Sequence, residues 1–157
     1  MAYVTRTHVD PGDPIASADG NQSMDNEEYL KARTDYFAVQ LQVVEPTLPC
    51  FVGDGQAYLV IPQRIGGMDL KRVHGKNLTA GTTGTMLIQV RNVTQGVDIL
   101  TTRISIDSGE LGSDTAAAPA VIDTANDDVA AFDTLAIDVD QLHTTPASGL
   151  VVTLEFG

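Results

Sequence analysis

Residues Gly84–Asp107, GTMLIQVRNVTQGVDILTTRISID, decide the fold of this chain. Every second residue from Met86 to Val90 is apolar, and a similar period of two runs from Leu100 to Ile106. Such a period sends alternate side chains to opposite faces of a strand, so each half of the stretch has one face to bury. The pattern predicts two strands.

The segment Asn92–Gly96 lies between these two strands and predicts the turn that joins them. Asn and Gly tolerate positive φ, which a reversal between strands most often needs. An isolated two-stranded hairpin is only marginally stable in water. We therefore expect the pair to lie inside a larger sheet, which the rest of the chain after about residue 56 completes.

Three further segments show the alternation of a half-buried strand, namely Phe37–Val43, Leu135–Val139 and Leu150–Phe156. Two others are irregular. Ala57–Ile61 is a continuous apolar run, which favours a strand buried on both faces. Met68–Leu78 changes phase by one residue, which is typical of a β-bulge, and we expect Gly75 to ease the bend there.

These strands predict an all-β fold, an antiparallel jelly-roll-like sandwich. Two prolines in Glu45–Cys50 interrupt strand pairing and predict a linker. The predicted organisation is therefore an N-terminal anchoring arm with a short helix and one strand over residues 1–50, followed by a β-sandwich lobe over residues 51–157.

The arm contains one predicted helix, over about Met24–Arg33. Asp25 and Glu28 have the spacing of an N-terminal capping pair, in which the acid accepts hydrogen bonds from free backbone N–H groups. The apolar stripe of this helix is too narrow to fold alone, so we expect it to dock on something else. The candidate partner-binding residues of the arm are its large apolar side chains: Tyr3, Val4, Ile15, Tyr29, Leu30 and Phe37.

The composition limits the classes of partner. The chain has 157 residues and a net charge of −12, which would repel phosphate backbones, so nucleic acid is not an expected partner. No apolar run approaches the length of a membrane span, so no membrane partner is expected either. The single cysteine, Cys50, has no partner for a disulfide, zinc or redox motif.

No arrangement of residues in the sequence predicts catalysis or a cofactor. His8, His74 and His143 are scattered, whereas metal and catalytic sites need clusters. The acids around Asp123–Asp128 could gather about calcium, but they lack the spacing of a calcium loop and favour a solvated acidic turn. The composition leaves open a pair of carboxylates that hydrolyses glycosidic bonds, although the absence of tryptophan disfavours a sugar-binding cleft lined by aromatic side chains. We expect a non-enzyme without metal or cofactor.

Four blocks of sequence together resemble a module at the C-terminus of many bacteriophage virion proteins, which are small trimeric head-decoration, head-fibre and tail-fibre proteins. The blocks are PQRIGGMDL (62–70), GTMLIQVRNVTQGVDILTTRISIDSGE (84–110), PAVIDTANDDVAAFDTLAIDVD (119–140) and GLVVTLEF (149–156). The segment GDPIASADGNQSMDNEEYLKAR (12–33) also resembles the anchoring segment that precedes such modules.

The resemblance implies a virion structural protein made in the host cytoplasm, with an exposed β-sandwich lobe and an N-terminal arm that fastens it to the shell. Its expected partners are the major capsid protein or another virion protein, and further copies of itself in a homotrimer. Whether it belongs to the head or the tail stays open. The alternative is a tail-fibre or baseplate module that recognises a glycan on the host surface.

Overall fold

The computed structural model describes residues 36–157, and every regular element there is a β-strand except one turn of 3-10 helix at Ser113–Thr115. The strands are β1 (Phe37–Gln42), β2 (Gly53–Val60), β3 (Met68–Thr79), β4 (Thr85–Asn92), β5 (Val97–Asp98), β6 (Leu100–Thr102), β7 (Ile104–Asp107), β8 (Val121–Ile122), β9 (Asp128–Val129), β10 (Thr134–Gln141) and β11 (Ser148–Phe156). The predicted arm helix lies outside the described residues.

The strands form two principal sheets, and all of their pairings are antiparallel. The first sheet has the spatial order β1-β11-β3-β9. The second sheet has the order β2-β10-β4-β5, with β7 also paired to β4. Strands β6 and β8 form a small separate pair. The apolar residues that face inward from both sheets form one core. The predicted all-β antiparallel fold is confirmed at this level.

The stretch that decides the fold forms the centre of the second sheet, but its returning half is not one strand. Strand β5 pairs Asp98 with Arg91 of β4, and pairing resumes only where Ile104 of β7 lies opposite Ile88. Between these points β6 leaves the sheet and pairs with β8. The prediction that the returning half is one uninterrupted strand is therefore wrong.

Two consecutive apolar residues, Ile99 and Leu100, are both buried at this interruption. The buried side chain of Gln89 donates from Nε2 to the backbone carbonyl of Leu100 at 3.0 Å. This bond replaces a ladder hydrogen bond, so the departure leaves no buried carbonyl without a partner at that point.

The predicted bulge in β3 is present, but the glycine there has a different role. The register between β3 and β11 shifts where Leu70 lies opposite Phe156 and Arg72 lies opposite Glu155, so the bulge is at residue 71. Gly75 lies beyond it and is buried. A Cβ at Gly75 would lie 3.1 Å from Ile104 Cγ2. This glycine therefore lets the sheets approach closely.

Strand β2 is not buried on both faces, contrary to the expectation from its apolar run. Tyr58 and Val60 are exposed, whereas Ala57 and Leu59 pack against the core. The reason is its position at the edge of the second sheet, where it pairs with β10 alone. A continuous apolar run does not distinguish a central strand from an edge strand with an apolar outer face.

The sequence predicts that β1 belongs to the arm, but this strand belongs to the same body as the other strands. All six of its residues pair with β11, from Phe37 opposite Phe156 to Gln42 opposite Val151. The proline-containing segment after it is a loop of this body, because the Cys50 amide donates to the Ala147 carbonyl at 2.8 Å and Cys50 itself is buried. The prolines therefore mark a loop between two sheets.

One buried carboxylate fastens the turn after β4 to the loop before β10. Oδ2 of Asp133 accepts hydrogen bonds from the side chains of Asn92 at 2.9 Å and Gln95 at 2.8 Å, and from the Ala130 amide at 3.0 Å. Burial by itself raises the pKa of Asp133, but these three hydrogen bonds outweigh it and hold the pKa below its usual value.

The packing at Gly75 can be tested with an alanine. We expect Gly75→Ala to lower the free energy of unfolding by about 1–3 kcal/mol, because the added methyl group overpacks the core. Gly53→Ala is the matched control, since its Cβ would have no atom nearer than 3.5 Å and should change stability by less than about 0.5 kcal/mol. Equal effects in urea unfolding would contradict the assignment.

The carboxylate of Asp133 gives the lobe a defined response to acid. Because its pKa is lower in the folded state, it stabilises the fold above its unfolded pKa of about 3.9, and this stability is lost as the pH falls through the folded value. We expect Asp133→Asn to cost about 1.5–3 kcal/mol at pH 7 and to lose less stability than the wild type between pH 6 and pH 3.

Asp128→Asn is the control for this measurement, because it removes the same charge from an exposed position nearby. Its unfolding curves should follow those of the wild type at each pH. If Asp133→Asn instead loses as much stability as the wild type between pH 6 and pH 3, other carboxylates are responsible for the acid sensitivity and the assignment to Asp133 is wrong.

Candidate functional site

A groove of about 300 Å³ runs along the outer face of the first sheet. Its floor is β11 and its sides are β1 and β3, so three strands that are distant in sequence build it. Polar side chains predominate on the sides, and apolar ones lie on the floor and at one end. The lining residues are Gln40, Gln42, Pro46, His74, Lys76, Asn77, Leu78, Gly149, Val151 and Thr153.

The bulge at residue 71 determines which side chains of β3 face this groove. Beyond the bulge Val73 packs against the core, so Arg72, His74 and Lys76 share the opposite, outer phase. These three residues are named here the basic stripe. Arg72 is paired at 3.8 Å with Glu155, whereas Lys76 forms no ion pair with any residue between 36 and 157.

The ring of His74 is held at the rim of the groove by a loop that lies along β3. The Asn77 amide donates to the Leu111 carbonyl at 2.7 Å, which brings the loop alongside the strand. Ser113 Oγ then accepts from the Gly75 amide at 3.0 Å and lies 3.1 Å from His74 Nδ1. Ser113 Oγ thus serves as the acceptor for the Gly75 amide in place of a backbone carbonyl, and it fixes the orientation of the His74 imidazole.

One end of the groove is closed by tight packing around a glycine. Gly149 has φ +68°, and a Cβ there would lie 2.9 Å from both Leu78 Cβ and Pro46 Cα. Only glycine combines this backbone conformation with such close neighbours. The result is a short groove with one closed end.

The side of the sandwich formed by β1 and β2, named here the open side, is a second candidate surface. Among residues 36–157 each of these strands is the last in its sheet and has one strand neighbour. Asp54 is the only charged residue in the two strands, and neither contains proline. Their core-facing side chains are only half-buried: Phe37, Val39, Leu41, Ala57 and Leu59.

Ion pairs on the outer face of the second sheet have a structural role. Asp138 is buried and receives both Arg91 Nε at 2.7 Å and Nη2 at 3.1 Å, together with the Gly55 amide at 2.6 Å. The hydrogen bonds and the charge of Asp138 raise the pKa of Arg91 above its ordinary value. Burial also raises the pKa of Asp140, although its ion pair with Arg103 opposes that effect.

The acids of 123–128 do not converge on a common point. Asp123 closes its own turn, because its carboxylate accepts from the Ala125 amide at 3.1 Å and from Asn126 Nδ2 at 2.8 Å. Asp127 faces Lys71 at 4.0 Å. Within residues 36–157 no group of three or more His, Cys, Asp or Glu side chains is placed to hold a metal ion.

Cys50 and His143 are buried groups without access to a ligand. Burial raises the pKa of the Cys50 thiol to about 11, which keeps it protonated and unreactive. The Nε2 atom of His143 lies 3.0 Å from the Ile106 carbonyl, and its ring packs directly against Gly81, where a Cβ would lie 2.2 Å from Nδ1. Both residues fill the interior.

The partner-binding residues predicted from the sequence fall mostly outside the described range, since Tyr3, Val4, Ile15, Tyr29 and Leu30 precede residue 36. Phe37 is the exception. Its ring packs against the core on the open side, with the Arg64 guanidinium 4.9 Å above it. Its role in partner binding stays a prediction.

Sequence reasoning missed the groove, although one signal was available. Once the bulge is placed before Val73, the phase of β3 puts Arg72, His74 and Lys76 on one outer face. The opposite wall comes from β1 and the floor from β11, and no local pattern in the sequence joins these strands.

No family model, curated protein or solved structure matches this chain. Among residues 36–157, no helix has the length and apolar character needed to cross a membrane.

Proposed function

We propose that this chain is a non-enzymatic structural protein of a bacteriophage virion, a capsid decoration or head-fibre subunit. The support is the resemblance of four sequence blocks, which contain β4 to β9, nearly all of β10 and β11, and the first three residues of β3. The proposal includes a jelly-roll connection of the strands. Each sheet pairs an early strand with a late one, β1 with β11 and β2 with β10, as such a connection requires.

The observation that carries the proposal is the open side. Exposed strand edges promote association, and proteins that stay monomeric protect them with charges, prolines, bulges or very short strands. The opposite side of the lobe follows this rule, since its edge strands are short and each carries an aspartate: β5 and β9 have two residues with Asp98 and Asp128, and β7 has four with Asp107. The strands of the open side are longer, with six and eight residues, and they contain one charged residue, Asp54, and one bulge, between Gly53 and Ala57 of β2. The open side is therefore less protected, as expected of a surface covered in an assembly.

In this proposal the N-terminal arm attaches the lobe to the particle. Residues 1 to about 34 precede β1, and Tyr36 at the start of the lobe is exposed. The predicted anchors Tyr3, Val4, Ile15, Tyr29 and Leu30 would fill separate pockets on the major capsid protein or another virion protein. Fully burying each is worth about 1.5–3 kcal/mol, so backbone hydrogen bonds must add to them to order the arm.

The open side is also the proposed contact between copies in a homotrimer. Closed rotational symmetry buries one repeated patch without leaving a free end. The contact would cover the half-buried apolar side chains of β1 and β2 together with the exposed Tyr58 and Val60.

A second candidate function is supported by the groove. A tail-fibre or baseplate module that recognises a host-surface glycan needs a concave, accessible site with convergent polar groups. The outer face of the first sheet offers such a site in Gln40, His74 and Lys76. This function and attachment by the arm use different parts of the chain.

Deletion of residues 1–34 tests attachment. We expect the shortened protein to keep the β-type circular dichroism and the urea midpoint of the full chain, because β1 begins at Phe37. Mixed with particles that lack the native protein, it should no longer sediment with them, whereas the full chain should. Binding of the shortened protein at the same copy number would place attachment in the lobe and overturn this part of the proposal.

A charge on the open side tests self-association. We expect the full chain to sediment as a trimer at micromolar concentration and Val60→Lys to sediment as a monomer, because a lysine on β2 is costly to bury at an interface. Val121→Lys is the control, since Val121 is also an exposed strand valine but lies on β8. A monomeric full chain, or dissociation by Val121→Lys alone, would contradict the open side as the contact.

A further inference from the structure

We propose that the groove on the outer face of the first sheet binds an acidic saccharide, a sugar that bears a carboxylate. In this assignment Lys76 and His74 face the carboxylate, and the side chains of Gln40 and Thr153 bond to the sugar hydroxyls. The apolar floor at Val151 packs against the carbons of the ring. The inference rests on the second candidate function and gives its ligand a chemical class.

The charge distribution of the lobe supports an anionic ligand. Residues 36–157 contain fourteen Asp and Glu but only six Lys and Arg, and two of those six are Arg72 and Lys76 in the basic stripe. Glu155 is the acid that faces the stripe from β11, and it is paired with Arg72. Lys76 therefore lies at the groove with its charge not compensated by another residue of the lobe, which makes it the natural contact for a carboxylate.

The neutral side chains of the groove favour a sugar among anionic ligands. Gln40 Nε2 lies 3.5 Å from Thr153 Oγ1, a long contact that leaves both groups able to bond to a ligand. Gln42 donates to the Val44 carbonyl at 2.6 Å, which holds its side chain in place and leaves its Oε1 as an acceptor. Amides and a hydroxyl around an apolar floor match the alternating polar edges and apolar faces of a sugar ring.

The size of the site matches a short ligand. A volume of about 300 Å³ is at the small end of ligand sites, and the basic stripe spans about 13 Å from Arg72 to Lys76 at the rise of a strand. Because Gly149, Leu78 and Pro46 close one end, the site is suited to the end of a glycan chain or to a short oligosaccharide.

A peptide or a nucleic acid fits these observations less well. Peptides bind sheets mainly by adding a strand to a free edge, but the groove lies over β11, which is paired on both sides by β1 and β3. Nucleic acid needs several phosphate contacts, and an acidic lobe with one short basic stripe would repel the rest of the polymer. Recognition here must come from side chains, as it does for sugars.

The test is a titration of the full-length, 15N-labelled protein with a galacturonic acid disaccharide, and in parallel with its uncharged methyl ester. We expect the acid to shift the amide signals of His74, Lys76, Gly149 and Thr153, and to bind at least about tenfold more tightly than the ester, as expected for a charge-assisted hydrogen bond. Lys76→Gln should weaken binding of the acid by a similar factor and leave binding of the ester unchanged.

Arg64→Gln is the matched control, because Arg64 is an exposed base over Phe37 on the open side and lies away from the groove. It should bind the acid as the wild type does. The proposal is overturned if the acid shifts none of these signals, if acid and ester bind equally, or if Lys76→Gln binds like the wild type. Tighter binding of an acidic peptide or a short oligonucleotide at the same signals would also overturn it.

Failure of this test can be distinguished from failure of the decoration proposal. Deletion of residues 1–34 removes no residue of the groove, and Lys76→Gln alters no residue of the arm or the open side. Particle binding and sugar binding therefore have independent readouts.

Discussion

The lobe depends on the close packing of Ile88 of β4 and Ile104 of β7 against Gly75 of β3. Ile88 and Ile104 lie opposite each other on paired strands of the second sheet, and both would touch a Cβ at Gly75 in the first. Each sheet has one apolar face, and this glycine lets the two faces approach closely enough to exclude water. The inward residues of β10 and β11 extend the same core.

Two irregularities in the strands carry the features that are relevant to function. The bulge at residue 71 keeps Leu70 and Val73 on the core side and turns the basic stripe outward. Where β6 departs from the second sheet, Ile99 and Leu100 are both buried, and Gln89 Nε2 donates to the Leu100 carbonyl. In each case the burial of apolar side chains sets the register of the strand, and that register determines which polar side chains face outward.

Local alternation was sufficient to predict four of the eleven strands in residues 36–157, with β4 among them. The patterns at Phe37–Val43, Leu135–Val139 and Leu150–Phe156 correspond to β1, β10 and β11. Features that depend on distant partners could not be predicted, because alternation does not say which strand is a neighbour. Hence the apolar run of β2 predicts a strand buried on both faces, the prolines after β1 predict a linker, and no local pattern predicts the groove.

The proposed function joins an acidic β-lobe, a sheet edge without a further strand neighbour among residues 36–157 and a preceding arm into a subunit on the surface of a particle. The most direct measurement is the copy number of the protein in purified virions, by quantitative mass spectrometry against the shell protein. We predict a copy number in fixed proportion to that of the shell subunit, as a head-decoration protein requires. A handful of copies would instead place the chain on the tail, and its absence from virions would contradict the account.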